Sequence, residues 1–322
     1  MRRIPQLAIA IVAFAVLAAG CGDDSDASTA AGPTVVVTTN ILGDVVTNIT
    51  GGAVEVITVM SVGADPHDFQ ASARQADDMR SASVLIINGG GFEEGLDDVI
   101  DGAESDGVVV YEALDAVAQI EFGEAGHDDE HEDHDAEHDD HEHEGVDPHF
   151  FTDPARMAVA AQAISTFLID NVDGIDAATV RTATADYVAE LEALDAEVAE
   201  LTATIPAEQR VLVTNHAVFG YFAERYDFEV IGAVIPTGST TDGVSAGQLA
   251  ELAEILEHEG VRAVFADTSS SDELVETLAA EVGDVLVESL YSESLGPADS
   301  DAATYVAMVR TNAERIAAAL GG

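Results

Sequence analysis

The sequence predicts an α/β protein of two lobes, each a mostly parallel sheet flanked by helices, joined by one long rigid helix. Three observations carry this. Short β-branched runs alternate with stretches of helical periodicity, the pattern of βα units and a parallel sheet. The alternation is interrupted once, by a stretch of about 28 residues with the period of a single helix. It then restarts and continues almost to the C-terminus.

In the first lobe, Thr34 to Thr39 (TVVVTT) is a β-branched run and the first strand. Residues 41–50 suit a helix, stopped by Gly51-Gly52. A second strand follows over 54–59, a helix over 71–81, and a third strand over 84–87 that ends at Asn88-Gly89-Gly90-Gly91. A fourth strand covers 108–111. A loop rich in histidine and acid (121–146) comes next, then a helix over 154–170.

The stretch 177–204 is the most regular in the chain. Its apolar residues are Val180, Tyr187, Leu191, Leu194, Val198, Leu201 and Ile205. After the first step they are spaced by four and three, which places them on one helical face. Asp176 can cap the start and Pro206 follows the end. At 1.5 Å per residue the helix is about 40 Å long, enough to span a domain. Beyond it, strands are expected over 211–214, 229–234, 261–266 and 285–289. Helices are expected over 218–225, 245–258, 271–282 and 299–320.

The N-terminus reads as a targeting segment. Arg2 and Arg3 precede an apolar run from Leu7 to Ala19, too short for a typical membrane span and suited to a signal-peptide core. Leu17-Ala18-Ala19-Gly20-Cys21 resembles a bacterial lipoprotein signal, with Ala18 where a larger aliphatic is usual. The resemblance makes Cys21 the lipidated residue and a membrane anchor. Cys21 is also the only cysteine, so no intramolecular disulfide can form. The expected division is a signal peptide (1–21), a flexible tether (22–33), a first lobe (34–173), a linking helix (174–206) and a second lobe (207–322).

Apolar residues make up 47% of the chain, enough for real cores, and tryptophan is absent. With so few aromatics, the cores should be built from Val, Leu, Ile and Ala. The net charge is −51, with no lysine anywhere. Such a surface repels nucleic acid, makes anionic substrates poor partners and favours cations. Outside the loop, most of this charge reads as solvated or salt-adapted surface.

Residues 127–144 read HDDEHEDHDAEHDDHEHE. The six histidines are His127, His131, His134, His138, His141 and His143, and every other residue except Ala136 is acidic. Imidazoles and carboxylates are ligands for borderline divalent cations, zinc above all. No residue there can contribute to a core, so the stretch is expected to be a disordered, metal-attracting loop. An ordered site should lie elsewhere.

Asp65-Pro66-His67 and Asp147-Pro148-His149 repeat one tripeptide. Proline fixes the local backbone, so each histidine leaves a rigid turn at the rim of the sheet. Each aspartate is placed to form the turn or to orient the imidazole. His216 follows the first strand of the second lobe, where parallel sheets place ligands. His258, between Glu257 and Glu259, reads as a surface residue. Three imidazoles and one dipositive ion call for a carboxylate as fourth ligand. Asp267, Glu288 and Glu293 are available, and spacing alone does not choose among them.

With these motifs in order, the chain resembles the zinc- and manganese-binding solute-binding proteins of bacterial ABC transporters, many of them lipoproteins. The resemblance spans most of residues 34–320. It rests on Gly63-Ala64-Asp65-Pro66-His67-Asp68-Phe69, the acidic histidine loop, Asp147 to Pro154 (DPHFFTDP) and Asn215 to Phe222 (NHAVFGYF). It implies two lobes bridged by a rigid helix, with the metal between them. It carries the ligand roles to His67, His149 and His216. The family's fourth ligand, usually Asp, falls on Glu293 within Leu290-Tyr291-Ser292-Glu293-Ser294-Leu295, with Asp267 as the fallback.

The function this implies is extracytoplasmic capture of Zn²⁺ by a monomer and its delivery to a membrane permease. His67 and His149 of the first lobe would meet His216 and Glu293 of the second. Three imidazoles and a carboxylate suit zinc, whereas manganese prefers more oxygen. Mn²⁺ is the alternative cargo. A zinc hydrolase is the competing class, since three histidines and an open position also describe catalytic zinc. No HExxH or GxSxG supports it, and no enzyme is expected. A passive zinc buffer or surface adhesin is the remaining alternative.

Overall fold

Two four-stranded sheets, parallel in every pairing, form the frame of the chain. The computed structural model describes residues 33–122 and 145–321 apart from 236, 238, 242 and 284. The expected signal peptide, Cys21, nearly all of the tether and the six loop histidines (His127, His131, His134, His138, His141 and His143) lie outside the described residues.

The first lobe runs β1 (Thr34–Val37), α1 (Asn40–Thr50), β2 (Glu55–Thr58), α2 (Ala73–Arg80), β3 (Val84–Ile87), α3 (Asp97–Ser105) and β4 (Val109–Glu112), then α4 (Pro154–Asn171). Helix α5 (Ala177–Thr202) links it to the second. There the order is β5 (Val211–His216), α6 (Gly220–Tyr226), β6 (Glu229–Ile235), α7 (Ala246–Glu259), β7 (Ala263–Asp267), α8 (Glu273–Val282), β8 (Leu286–Leu290) and α9 (Tyr305–Leu320). The sheets share one plan, β2-β1-β3-β4 and β6-β5-β7-β8. In both, the central pair places the loops after the first and third strands side by side at the C-terminal edge.

Alternating side chains serve two cores, as expected when both faces of a parallel sheet are covered. Val35 and Val37 join an inner core, while Val36 packs outward with Leu85, Met79 and Ile100. The inner core continues through Tyr187, Leu191, Leu194 and Val198 of α5 to Leu212, Phe222 and Phe265 of the second lobe. A separate outer core there contains Val213, Val264 and Leu278.

Asp176 caps α5 by accepting from the backbone N–H of Ala178 and Thr179. The seven-residue step from Val180 to Tyr187 is filled by buried Thr184. Its hydroxyl is satisfied by Val180 O at 2.8 Å and Ser165 Oγ at 2.9 Å, which lets a polar residue occupy an apolar stripe.

The structure corrects several expectations. Helix α3 is present where none was expected. The closing helix starts at Tyr305 rather than 299, with the Thr304 hydroxyl accepting from Ala307 N. His216 is itself the last residue of β5, paired with Ile235, rather than a residue beyond the strand. The ends of the 121–146 loop are ordered: Glu121 bridges Val146, Phe122 N–H donates to Gly145 O, and Asp147 N–H donates to Ile120 O. Aromatic side chains, though few, are also core residues. Phe92, Phe150, Phe151, Phe265, Tyr221 and Tyr305 are among the largest fully buried side chains.

Candidate metal centre

The two Asp-Pro-His turns bring their histidines to one point. His67 lies in the segment after β2, and the Asp65 carboxylate accepts its backbone N–H at 3.0 Å. His149 precedes a short 3₁₀ turn (Phe150–Thr152) that leads into α4. Asp147 Oδ1 accepts the His149 backbone N–H at 2.8 Å. His216 arrives from the end of β5, and Glu293 from the turn after β8. All four side chains are buried, and one ligand atom from each lies within 4.8 Å of the others.

Glu293 Oε1 sits 2.8 Å from His67 Nε2, 2.9 Å from His216 Nε2 and 3.2 Å from His149 Nε2. Ligands on a tetrahedral zinc with bonds of about 2 Å are separated by about 3.3 Å. The donor set therefore fits a small divalent ion with modest adjustment. Glu293 Oε2 is buried and has no hydrogen-bond partner.

The two aspartates do different work. Asp147 Oδ1 also lies 2.8 Å from His149 Nδ1, which holds the proton on that nitrogen and turns Nε2 towards the other three side chains. Asp65 makes no such contact, and His67 Nδ1 has no partner. Instead Asp65 Oδ2 accepts from Thr240 Oγ1 of the second lobe at 2.6 Å. The repeated tripeptide thus gives two turns but only one oriented imidazole.

Charge is concentrated here among buried side chains. Burial alone would raise the pKa of Glu293, but the positive field of His216 and hydrogen bonds from all three imidazoles hold it well below the usual carboxylate range. Burial opposes charge on His149, yet Asp147 and then Glu293 outweigh it and lift the imidazole to about 9. Asp267 is pushed upward by burial and by the charge of Glu293. Its two oxygens accept from Ser269 N–H and Oγ at 2.9 and 2.7 Å, and it stands outside the four-atom cluster. Glu288 faces Arg315 at 3.9 Å. His258 is exposed beside Glu259.

Residues that the motifs do not reveal brace the site. Phe92 sets its ring edge-on to His67 and His149, with centroids at 5.3 and 5.5 Å. Buried Glu93 accepts from Thr38 Oγ1 and Asn88 N–H, each at 2.6 Å. Asn88 Nδ2 in turn donates to Pro148 O at 2.9 Å, just before His149. At Gly90, φ is +67°, and an added Cβ would lie 2.6 Å from Leu114 and 3.3 Å from Pro148. The glycine run after β3 was the available signal. Tyr221 of α6 adds a cross-lobe brace, donating to Asp147 O at 2.7 Å and accepting from Ile120 N–H at 3.3 Å.

A parallel α/β pair of lobes with three imidazoles and a carboxylate buried between them defines a two-lobed binding protein for a divalent metal. Residues 35–319 match the family model of the periplasmic zinc-uptake complex component A, ZnuA, and the chain belongs to that family. The zinc-binding protein TroA of Treponema pallidum is 30% identical over 92% of this chain and 91% of its own length. The manganese-binding lipoprotein MntA of Halalkalibacterium halodurans is 26% identical over 96% of each. The solved structure of Treponema pallidum TroA superimposes with a TM-score of 0.78, covering 90% of this chain and all of its own.

Proposed function

We propose that the protein is the extracytoplasmic zinc-binding component of an ABC uptake system, taking Zn²⁺ between its lobes and handing it to a membrane permease. The convergence of His67, His149, His216 and Glu293 on one buried point carries this reading. Each imidazole would ligate through Nε2, and Glu293 would supply the anionic oxygen. Asp147 would fix the tautomer of His149. Asp267, committed to Ser269, would stay outside the coordination sphere. The protein would act as a monomer, tethered through lipid on Cys21, and would carry its ion without chemistry on it.

Manganese is the second reading. Relatives from Halalkalibacterium halodurans and Bacillus subtilis are named for it. The unengaged Glu293 Oε2 could add the further oxygen that manganese prefers. Competition titration with both ions decides between them: zinc should displace manganese at equal concentration, and equal or weaker zinc affinity refutes the zinc assignment.

The acidic histidine stretch would raise the local zinc concentration and bind ions more weakly than the cleft. Deleting 127–144 should lower the number of zinc ions bound and slow uptake under zinc limitation. No change in either would make the stretch a solvated spacer.

A further inference from the structure

By its place in the chain, Glu293 belongs to the second lobe, three residues beyond β8. Its hydrogen bonds tell otherwise. The segment that carries it crosses back to the first lobe and is fastened there. Asn40, at the start of α1, donates from Nδ2 to Ser294 Oγ at 3.0 Å and accepts at Oδ1 from Leu295 N–H at 2.7 Å. Gly63 N–H donates to Ser294 Oγ at 2.6 Å. Further along, Tyr305 N–H donates to Asp44 Oδ2 at 3.0 Å, and its hydroxyl donates to Phe151 O at 2.7 Å. Asn40, Ser294, Leu295 and Tyr305 are all buried, so these bonds are not exchanged with water. Among the described residues, the polar contacts from 292–304 to the second lobe are that of Glu293 with His216 and those of Asp301 and Thr304 with α9, whose first residue, Tyr305, is itself pinned to the first lobe.

We propose that residues 292–304 move with the first lobe, clamped by Asn40 as the positioning residue. His67, His149 and Glu293 then form a preassembled three-ligand half-site. His216 is the single ligand that the second lobe brings. Parting of the lobes would break the His216 contact, the Thr240–Asp65 bond and the Tyr221–Asp147 bond, while the Asn40 clamp stays intact. The ion would dock on the first lobe and be sealed by His216 last. This rests on the metal-capture reading, because only a protein that opens and closes has a ligand that arrives last.

Distances between spin labels test it. In the full chain carrying Cys21→Ser, nitroxides are placed in pairs at Asp98→Cys on α3, Glu254→Cys on α7 and Asp299→Cys in the crossing segment, all exposed positions. Saturating Zn²⁺ should change the 98–254 and 254–299 distances by more than about 2 Å. The 98–299 distance should stay fixed. A zinc-dependent 98–299 distance with a constant 254–299 distance overturns the proposal, as does zinc binding by calorimetry with no pair moving. Absence of calorimetric binding would sink the capture reading itself, a separate and recognisable failure.

Asn40→Ala should broaden the metal-free 98–299 distribution and weaken zinc binding about 10- to 100-fold, as loss of a ligand's support does. A purely structural Asn40 would lower the melting temperature, leave that distribution narrow and leave the affinity unchanged. If Asn40→Ala fails to fold, Ser294→Ala removes the clamped hydroxyl and carries the same test.

Discussion

Asp147→Asn should weaken zinc binding by an amount that depends strongly on pH, whereas Asp65→Asn should not. The Asp147 carboxylate lies 2.8 Å from His149 Nδ1, and loss of such support for a ligating histidine costs about 10- to 100-fold in affinity. A second effect opposes this. Zinc takes the neutral imidazole, so a proton on His149 competes with it. Despite full burial, Asp147 and Glu293 raise His149 to about 9. At pH 7 the native protein therefore loses about 100-fold in affinity to the proton, and at pH 9 only about twofold. Without the Asp147 charge, the imidazole pKa falls back and most of that competition disappears. The variant should bind 10- to 100-fold more weakly at pH 9, and the deficit should shrink towards zero at pH 7. Asp65 does not touch the His67 ring, so Asp65→Asn should stay within about threefold at both pH values. Competition against a chromogenic chelator in metal-buffered solution reads all three proteins. A deficit of equal size at both pH values, or none at pH 9, would refute the reasoning.

Other outcomes follow from single contacts. Glu293→Gln removes the one carboxylate facing three imidazoles, and breaking a buried charge set typically costs about 3 kcal/mol or more, so zinc affinity should fall at least about a hundredfold by the same competition assay. Phe92→Ala leaves a cavity under His67 and His149, and should destabilise the metal-free protein by about 3–5 kcal/mol in urea unfolding. Gly90→Ala places a Cβ at a left-handed φ against Leu114, and should cost about 1–2 kcal/mol or more in the same measurement.

Much of the frame was legible because its signals are local. The period-2 valines of β1 and the four-three spacing on α5 each depend on near neighbours in sequence. Helix α3 was not legible, since its nine residues (DDVIDGAES) bury only Ile100 and Ala103 and contain a glycine. Nor was the late start of α9, because Ser294 and Leu295 bond to the first lobe and Pro297 O closes a turn with Ser300 before the helix can begin. The three histidines were legible from motif and strand position. The fourth candidate was not fixed by spacing, because Asp267 ends β7 and Glu293 closely follows β8, both at C-terminal ends of strands in the second sheet. What separates them is a local event: Asp267 folds back on Ser269 two residues later, while Glu293 is left to face the imidazoles. Composition misled about the aromatics, since a low total says nothing about where they gather.

The unequal use of two identical tripeptides shows where a motif stops determining chemistry. In each, the aspartate closes the turn by accepting the N–H of the histidine two residues on. That much is written in the tripeptide. What its remaining capacity does depends on the second lobe. Opposite Asp65 stands the Thr240 hydroxyl, which takes the free carboxylate oxygen and leaves the His67 ring without an acceptor. Opposite Asp147 stands the Tyr221 hydroxyl, which takes the backbone carbonyl and leaves the carboxylate to the ring. An acceptor on Nδ1 raises the basicity of a ligating imidazole and fixes its direction. On the proposed capture reading, His149 would therefore be the stiff, electron-rich ligand of the set, and His67 and His216, whose Nδ1 atoms have no partner, the compliant ones. A site with one fixed imidazole and two adjustable ones can close on its ion from an imperfect starting geometry, which suits capture followed by release better than permanent retention.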